Sequence, residues 1–287
     1  MGSTYTPPPL KPVRMVGNAV AVPMRANQRL GHQAITFFQA VGAMPYVLKH
    51  YRKEFLRLTA DVGWGNGSLV VGGGTVGVVI ILCAFAGITV GMESYSALNL
   101  LTMSPLTGAI AGFAITRELA PIIATLAFAI QAGCRFTAQL GAMRISEEID
   151  ALESIAIRPL PYLISTRMIA STLTLIPLYS VGLAAAYLST KLSVLFLGGT
   201  TAGTYDHYFF QFLVGPDVYW SLLKVVVFVL LSTFIQCYHG YTASGGPEGV
   251  GVAAGQALKS VIVVVVFADL FMTLAIWGID PGFRISG

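Results

Sequence analysis

The stretch VGWGNGSLVVGGGTVGVVIILCAFAGITVGM, residues 62–92, contains no Asp, Glu, Lys or Arg. Three further runs share this absence: Ser94–Thr116, Met168–Thr190 and Val225–Pro247. A helix that crosses the hydrocarbon core of a bilayer needs about 20 mostly apolar residues. A transmembrane β-barrel would instead show segments of about ten residues with alternating polarity, and these runs have no such alternation. The runs therefore predict an all-α integral membrane protein.

The composition of the whole chain agrees with this prediction. The 287 residues are 55% hydrophobic and 10% charged, and the mean hydropathy is +0.74. Soluble domains are about 25% charged, so this chain could not cover a water-exposed surface. Disordered chains combine low hydrophobicity with high net charge, and the composition excludes that class as well.

The uncharged runs and their flanks predict five spans. We expect them at about residues 69–91, 107–134, 162–190, 219–238 and 256–278. Residues 94–134 are long for one span and short for two. Cytoplasmic loops are rich in Lys and Arg, and one span keeps the four arginines of 135–167 on the same side as the basic N-terminal region. Residues 94–106 then form an outer or re-entrant helix, with the N-terminus cytoplasmic and the C-terminus outside.

The segments outside the spans differ in composition. Residues 1–26 are Pro-rich and are expected to be a disordered cytoplasmic tail. Residues 27–67 are expected to form a helical region, residues 68–279 the transmembrane domain, and residues 280–287 an outer tail. Within the helical region, apolar residues recur at helical spacing among five basic side chains. This pattern is typical of an amphipathic helix in the membrane interface, although a solvated helix at the cytoplasmic end remains an alternative.

Six glycines have the four-residue spacing that lets helices approach closely in lipid. They are Gly73, Gly77, Gly87, Gly91, Gly108 and Gly112. The spacing predicts tight packing around span one, either within the subunit or across a dimer interface.

The charges and prolines within the predicted spans include Arg117, Glu118, Pro121 and Asp269. Charges at bilayer depth are costly and are functional candidates by default. Pro121 cannot donate to the carbonyl of Arg117 and bends the helix there. We expect Arg117 and Glu118 to depend on each other, either beside a transport path or as a structural ion pair near the outer interface. Asp269 is either functional or part of a polar contact with span three or four.

The densest charge lies between the second and third spans. The segment comprises Ser146, Glu147, Glu148, Ile149, Asp150, Ala151, Leu152 and Glu153. Ser146 is a suitable N-cap, and acidic residues in a first turn suit the helix dipole. Ile149 and Leu152 share one helix face, through which the helix is expected to contact a partner if it docks. The segment is therefore predicted to be a short amphipathic cytoplasmic helix, which either docks on a partner or is solvated.

Several functions are excluded by what the sequence lacks. No Gly-x-x-x-x-Gly-Lys-[Ser/Thr] phosphate loop is present, and Gly249-x-Gly251-x-x-x-Gly255 follows a membrane helix rather than a strand. The four histidines are scattered, and the three cysteines have no metal-binding spacing. We expect no catalytic site, no metal, no cofactor and no nucleic-acid partner.

Four motifs resemble the YrbE/MlaE permease family. They are Thr116–Pro121, Gln131–Arg135, Gln139–Glu153 and Phe234–Thr242. The Pro-rich N-terminus resembles that of actinobacterial members, which serve mammalian-cell-entry (Mce) systems, and the chain resembles their B-type permease.

This resemblance implies a transmembrane subunit of an ABC-type lipid transporter in the inner (plasma) membrane. The implied partners are a cytoplasmic ATPase dimer, a hexamer of MCE-domain proteins, a second YrbE-type permease as heterodimer, and membrane lipids such as fatty acids, mycolic acids or sterols. The family's coupling helix, which contacts the ATPase, matches residues 146–153. A membrane scaffold that only anchors MCE proteins is the alternative function.

Overall fold

The computed structural model describes residues 11–64, 74–197 and 200–278, with side chains from residue 31 onwards. The chain divides into two units, residues 1–43 and residues 44–287. Most of the first unit belongs to one helix, α1 (Lys11–His50). This helix includes residues 11–26, for which we expected a disordered tail. Residues 1–10 lie outside the described part.

The second unit consists of helices, and the described residues include no strand. After α2 (Arg52–Trp64) and α3 (Gly74–Leu100), a continuous helix of 42 residues runs over Ser104–Ile145. It contains α4 (Thr107–Ile110), α5 (Ala120–Phe128) and α6 (Cys134–Ile145), separated by π-helical segments Ala111–Leu119 and Ala129–Gly133. The remaining helices are α7 (Glu148–Ser154), α8 (Thr166–Phe196, preceded by a π-helical segment Leu160–Ser165), α9 (Ala202–Phe212), α10 (Gly215–Tyr241) and α11 (Gly246–Trp277).

Five helices are long and apolar enough to cross a membrane, as predicted. They are Gly74–Leu100, Ser104–Ile145, Leu160–Phe196, Gly215–Tyr241 and Gly246–Trp277, here called spans one to five. Because consecutive spans run in opposite directions, the short helices α7 and α9 lie at opposite ends of the bundle. We refer to these ends as the α7 end and the α9 end.

The expected separate helix over residues 94–106 is wrong. Span one continues to Leu100, and span two starts at Ser104. Between them Thr102 has a φ of 58°, and the Met103 amide donates to the Leu98 carbonyl at 2.9 Å. This left-handed residue closes the end of span one, and Pro105 is compatible with the first turn of the next helix. The predicted extra helix is therefore divided between two spans.

Glycines join spans one and three within the subunit. A Cβ on Gly87 would lie 2.9 Å from Thr190 Oγ1, and Gly91 packs equally closely on the Thr190–Ser193 turn. The close approach brings hydroxyls onto the facing backbone, since Thr190 Oγ1 donates to the Gly87 carbonyl at 2.8 Å. These glycines therefore pack inside this chain rather than across a dimer interface.

The other predicted glycines have different surroundings. Gly108 and Gly112 contact the backbone of α9 around Tyr205 and Phe209, so they hold α9 against span two. Gly77 is half-buried in α3, and Gly73 lies outside the described residues.

Helix α2 packs on spans one and three at the α7 end. Phe55, Val47 and Ile169 form a small apolar cluster. Thr75 Oγ1 donates to the Val62 carbonyl at 2.8 Å, which joins α3 to the end of α2. Helix α2, which covers the later part of the region predicted to lie in the membrane interface, therefore packs on these two spans.

Candidate functional site

Lys224, in the middle of the bundle, is fully buried and has oxygen partners from two other spans. Its Nζ lies 2.6 Å from Asp269 Oδ1 and donates to Thr273 Oγ1 at 2.8 Å, both on span five. On span two, Glu118 Oε2 lies at 3.4 Å. A buried ammonium is costly unless it is paired and hydrogen-bonded. Lys224 therefore ties span four to spans two and five.

The fourth partner of Lys224 is a backbone carbonyl that a proline leaves without its α-helical donor. Pro121 has no amide hydrogen, so it cannot donate to the Arg117 carbonyl four residues earlier. Lys224 Nζ donates to that carbonyl at 2.7 Å. The surrounding segment Ala111–Leu119 is π-helical, a form often found at functional sites. The carbonyl that Pro121 leaves without its α-helical donor thus accepts from a span-four side chain.

Arg117 forms a second ion pair towards the α9 end. Its Nη2 lies 2.7 Å from Asp217 Oδ2, at the start of span four. Trp277, at the end of span five, donates from Nε1 to Asp217 Oδ1 at 3.0 Å. The guanidinium also lies over the rings of Phe113 and Trp277, at 4.3 and 4.9 Å from their centroids. Cation–π contacts of this kind are strongest when desolvated.

The two ion-pair groups form one network across spans two, four and five. Asp217 and Lys224 are two turns apart on α10, about 10 Å along the helix axis. Thr273 connects the inner group, because it donates to Glu118 Oε1 at 2.8 Å while accepting from Lys224. When all its side chains are ionised, the network contains three carboxylates and two cations. Such an arrangement can hold three spans in one relative position.

The expected dependence of Arg117 and Glu118 on each other is not what the geometry shows. Consecutive residues project in different directions on a helix. Arg117 pairs with Asp217, whereas Glu118 faces Lys224 and Thr273. Asp269 contacts span four, which was one of the two alternatives for that residue.

A second polar contact between spans two and four lies nearer the α7 end. Gln236 Nε2 donates to the Ala129 carbonyl at 2.9 Å, at the start of the π-helical segment Ala129–Gly133. Gly133 lies against the Gln236 side chain, where any Cβ would clash. The neighbouring Arg135 pairs with Asp61 of α2 at 3.2 Å. Both irregular segments of this part of span two thus have a carbonyl that accepts from a span-four side chain.

The short helix between spans two and three differs in detail from its prediction. It starts at Glu148, and Ser146 is not its N-cap. Ser146 is instead the C-cap of α6, and its hydroxyl donates back to the Ala142 carbonyl at 3.0 Å. Glu147, with a φ of 59°, occupies the cap position. This left-handed residue sets α7 at an angle to α6.

The apolar face predicted for α7 is also partly occupied. Ile149 is fully buried in this chain and Leu152 half-buried, so the expectation that Ile149 contacts a partner is wrong. The acidic side chains of the segment are exposed, and Ile155, 65% exposed, lies at its end. Asp150 pairs with Arg144 at 2.7 Å. The accessible surface of α7 is therefore acidic with one apolar end.

Sequence reasoning missed Lys224, Asp217 and Thr273. Lys224 could have been found, because it is the single charge between Tyr219 and Tyr238. Asp217 precedes the apolar part of span four and had no distinguishing signal. Within the described residues no group of His, Cys, Asp and Glu could hold a metal ion, and Cys83, Cys134 and Cys237 are free thiols.

Five apolar spans with a charged network among them define a multi-pass helical membrane protein. The sequence profile of the family described as Permease MlaE matches residues 66–275, well over half of the chain. The chain belongs to the MlaE permease family, as the motifs predicted.

Several relatives of known name are similar to this chain. The intermembrane phospholipid transport system permease protein MlaE of Haemophilus influenzae is 26% identical over 271 residues, covering 87% of this chain and 96% of that protein. A probable ABC transporter permease protein of Rickettsia prowazekii is 27% identical over 205 residues, covering 71% and 79%. The chloroplast protein TRIGALACTOSYLDIACYLGLYCEROL 1 of Arabidopsis thaliana is 28% identical over 203 residues, covering 69% and 57%.

Proposed function

We propose that this chain is the membrane-spanning permease subunit of an ATP-driven lipid transporter. The observation that carries the proposal is membership of the Permease MlaE family over residues 66–275. The name of the Haemophilus influenzae relative specifies phospholipid transport. No phosphate-loop motif occurs in the sequence, so a separate ATPase subunit hydrolyses ATP and this chain has no catalytic site of its own.

We further propose an Mce-type system of the plasma membrane, with the α7 end cytoplasmic. The partners are an ATPase dimer, a hexamer of MCE-domain proteins and a second YrbE-type permease, and the cargo is a hydrophobic lipid such as a fatty acid, a mycolic acid or a sterol. Support comes from the Pro-rich N-terminus and the distribution of Lys and Arg.

The charged network braces the transport route in this proposal. Lys224 and Asp269 are almost fully enclosed by the chain, whereas the Glu118 side chain is 33% exposed. Glu118 therefore provides the accessible side of the network. Movement of spans two, four and five relative to one another would require these ion pairs to separate, which is costly away from water.

The acidic surface of α7 is the proposed contact with the ATPase. Glu148 and Glu153 are exposed, and oppositely charged surfaces speed association and fix the register of a complex. Ile149 anchors α7 to this chain, and Ile155 supplies an apolar contact. We expect Glu148→Lys with Glu153→Lys to abolish co-purification of the ATPase while the permease still inserts. Glu93→Lys, an exposed acid of α3, is the matched control and should retain the ATPase.

Reconstitution tests the function itself. The complex is placed in vesicles with a fluorescent lipid, and movement of lipid is measured with ATP and with a non-hydrolysable analogue. If the complex transports lipid, the fluorescent lipid should move with ATP and not with the non-hydrolysable analogue. A complex that assembles and hydrolyses ATP without moving lipid would favour the scaffold function.

A further inference from the structure

A cavity of about 480 Å³ lies between α2, the start of α3 and the middle of α8, and shares no residue with the charged network. Among the described residues its apolar wall includes Leu56, Ala60, Val76, Leu173, Pro177 and Val181.

The polar groups in this wall already have partners. Thr59 Oγ1 donates to the Phe55 carbonyl at 2.7 Å. Thr174 Oγ1 donates to the Ala170 carbonyl at 2.9 Å and lies 3.3 Å from the Thr59 carbonyl. Both hydroxyls are satisfied by backbone. The interior therefore suits hydrocarbon rather than a polar ligand.

The cavity opens on the side of the bundle that faces the bilayer. Leu56, Leu173 and Val181 line it and are each about half exposed on the outer surface. A transmembrane helix is about 10–12 Å across with its side chains, which is too thick for this volume. An extended alkyl chain entering from the membrane has the right thickness.

Two cations lie one turn from the opening. Arg52 and Lys53 come four and three residues before Leu56, so they flank it on the same side of α2. Both are exposed, and neither forms an ion pair with a residue in the described part of the chain. Arg52 Nε donates to the Leu48 carbonyl at 2.9 Å, and its two terminal nitrogens are the donors offered to a phosphate. Arg57, by contrast, pairs with Glu54, with Nη1 lying 3.8 Å from Oε2.

We propose that the cavity is a binding site for an anionic phospholipid. One acyl chain fills the cavity, and the phosphate contacts Arg52 and Lys53 at the level of the headgroups. Because the acyl chain packs against both α2 and α8, the bound lipid holds α2 against the bundle. The site is occupied by a resident lipid, and the proposal is independent of which cargo the protein moves.

The test is lipid binding to the delipidated full-length chain in detergent, followed by native mass spectrometry. The probes are phosphatidylglycerol and phosphatidylcholine. Ala60→Phe fills the cavity and should raise the Kd of the first phosphatidylglycerol about tenfold or more. Arg52→Gln with Lys53→Gln should have a similar effect on phosphatidylglycerol and little effect on phosphatidylcholine. Leu173→Trp fills the cavity from the membrane side, in case Ala60→Phe does not fold.

Two control variants make the outcome decisive. Ala184→Phe adds the same side chain at an exposed position of α8 outside the cavity. Arg144→Gln with Lys259→Gln removes the same charge from exposed positions of α6 and α11 outside the cavity. Both should bind as the unaltered chain does. Equal losses in Ala60→Phe and Ala184→Phe, or unchanged binding in both cavity-filling variants, would overturn the proposal. So would a second protein chain bound to the unaltered protein and released by Ala60→Phe.

Discussion

At the scale of single residues, Lys224 is the group on which the most contacts converge. Its ammonium has neighbours on spans two and five and no access to water. Replacing it removes the cation that compensates Glu118 and Asp269. The ion pair between Lys191 and Asp206, at 2.8 Å but one-third exposed, offers a direct comparison between a buried and a surface pair.

We predict that Lys224→Met lowers the free energy of unfolding by about 3–5 kcal/mol, because it leaves the buried Asp269 carboxylate unpaired. Lys191→Met should cost only about 0–1 kcal/mol. Adding Asp269→Asn to Lys224→Met should recover part of the loss. Thermal unfolding in detergent measures all three variants. A loss for Lys224→Met no larger than that for Lys191→Met would contradict the buried network.

A second prediction concerns which charges are coupled. Arg117 touches the Asp217 side chain, whereas Glu118 reaches a different part of the network. In double-mutant cycles with alanine, the pair Arg117 and Asp217 should show a coupling of about 0.5–3 kcal/mol. The pair Arg117 and Glu118 should be closer to additive. The reverse order would show that adjacency in sequence matters more than the ion pair.

At the scale of the helices, sequence patterns were sufficient for the number of spans and insufficient for their partners. The length of the apolar runs was enough to locate all five spans. A helix in lipid must be long enough to cross the hydrocarbon core and must satisfy its backbone hydrogen bonds within itself. The contacts of Arg117 with Asp217 and of Lys224 with Glu118 join residues about a hundred positions apart. No local pattern carries that information. Ile149 was assigned to a partner for a related reason, since an apolar face does not reveal which surface covers it.

The packing of spans one and three gives a third prediction. Gly87→Ala places a methyl group against Thr190 and the Ala186 carbonyl, and overpacking of this kind costs about 1–3 kcal/mol. Gly251, on the exposed side of α11, has nothing within 4 Å of an added Cβ. Gly251→Ala should therefore be neutral or stabilise by about 0.5–1 kcal/mol. The melting temperature should fall for Gly87→Ala and stay unchanged or rise for Gly251→Ala, and equal shifts would argue against close packing at Gly87.

At the scale of the whole molecule, α7 and α9 are separated by one span, span three, and therefore lie on opposite sides of the membrane. Cysteines introduced at Glu147 and His207, both exposed, report on the two ends. In a Cys134→Ser background the remaining thiols are buried. We predict that an impermeant maleimide labels His207→Cys from outside intact cells and Glu147→Cys only after permeabilisation. Labelling of both from the same side would refute the five-span topology.

The two π-helical segments of span two have a consequence for comparing sequences of the family. A π-helical turn holds one more residue than an α-helical turn, so each segment acts as a local insertion within an unbroken helix. The direction in which side chains project from the helix axis is therefore shifted after Leu119 and again after Gly133. A helical wheel drawn at 100° per residue over all 42 residues would place the residues after each π-helical segment on the wrong side of the helix. Alignments and covariation analyses should treat residues 104–110, 120–128 and 134–145 as three independently phased blocks.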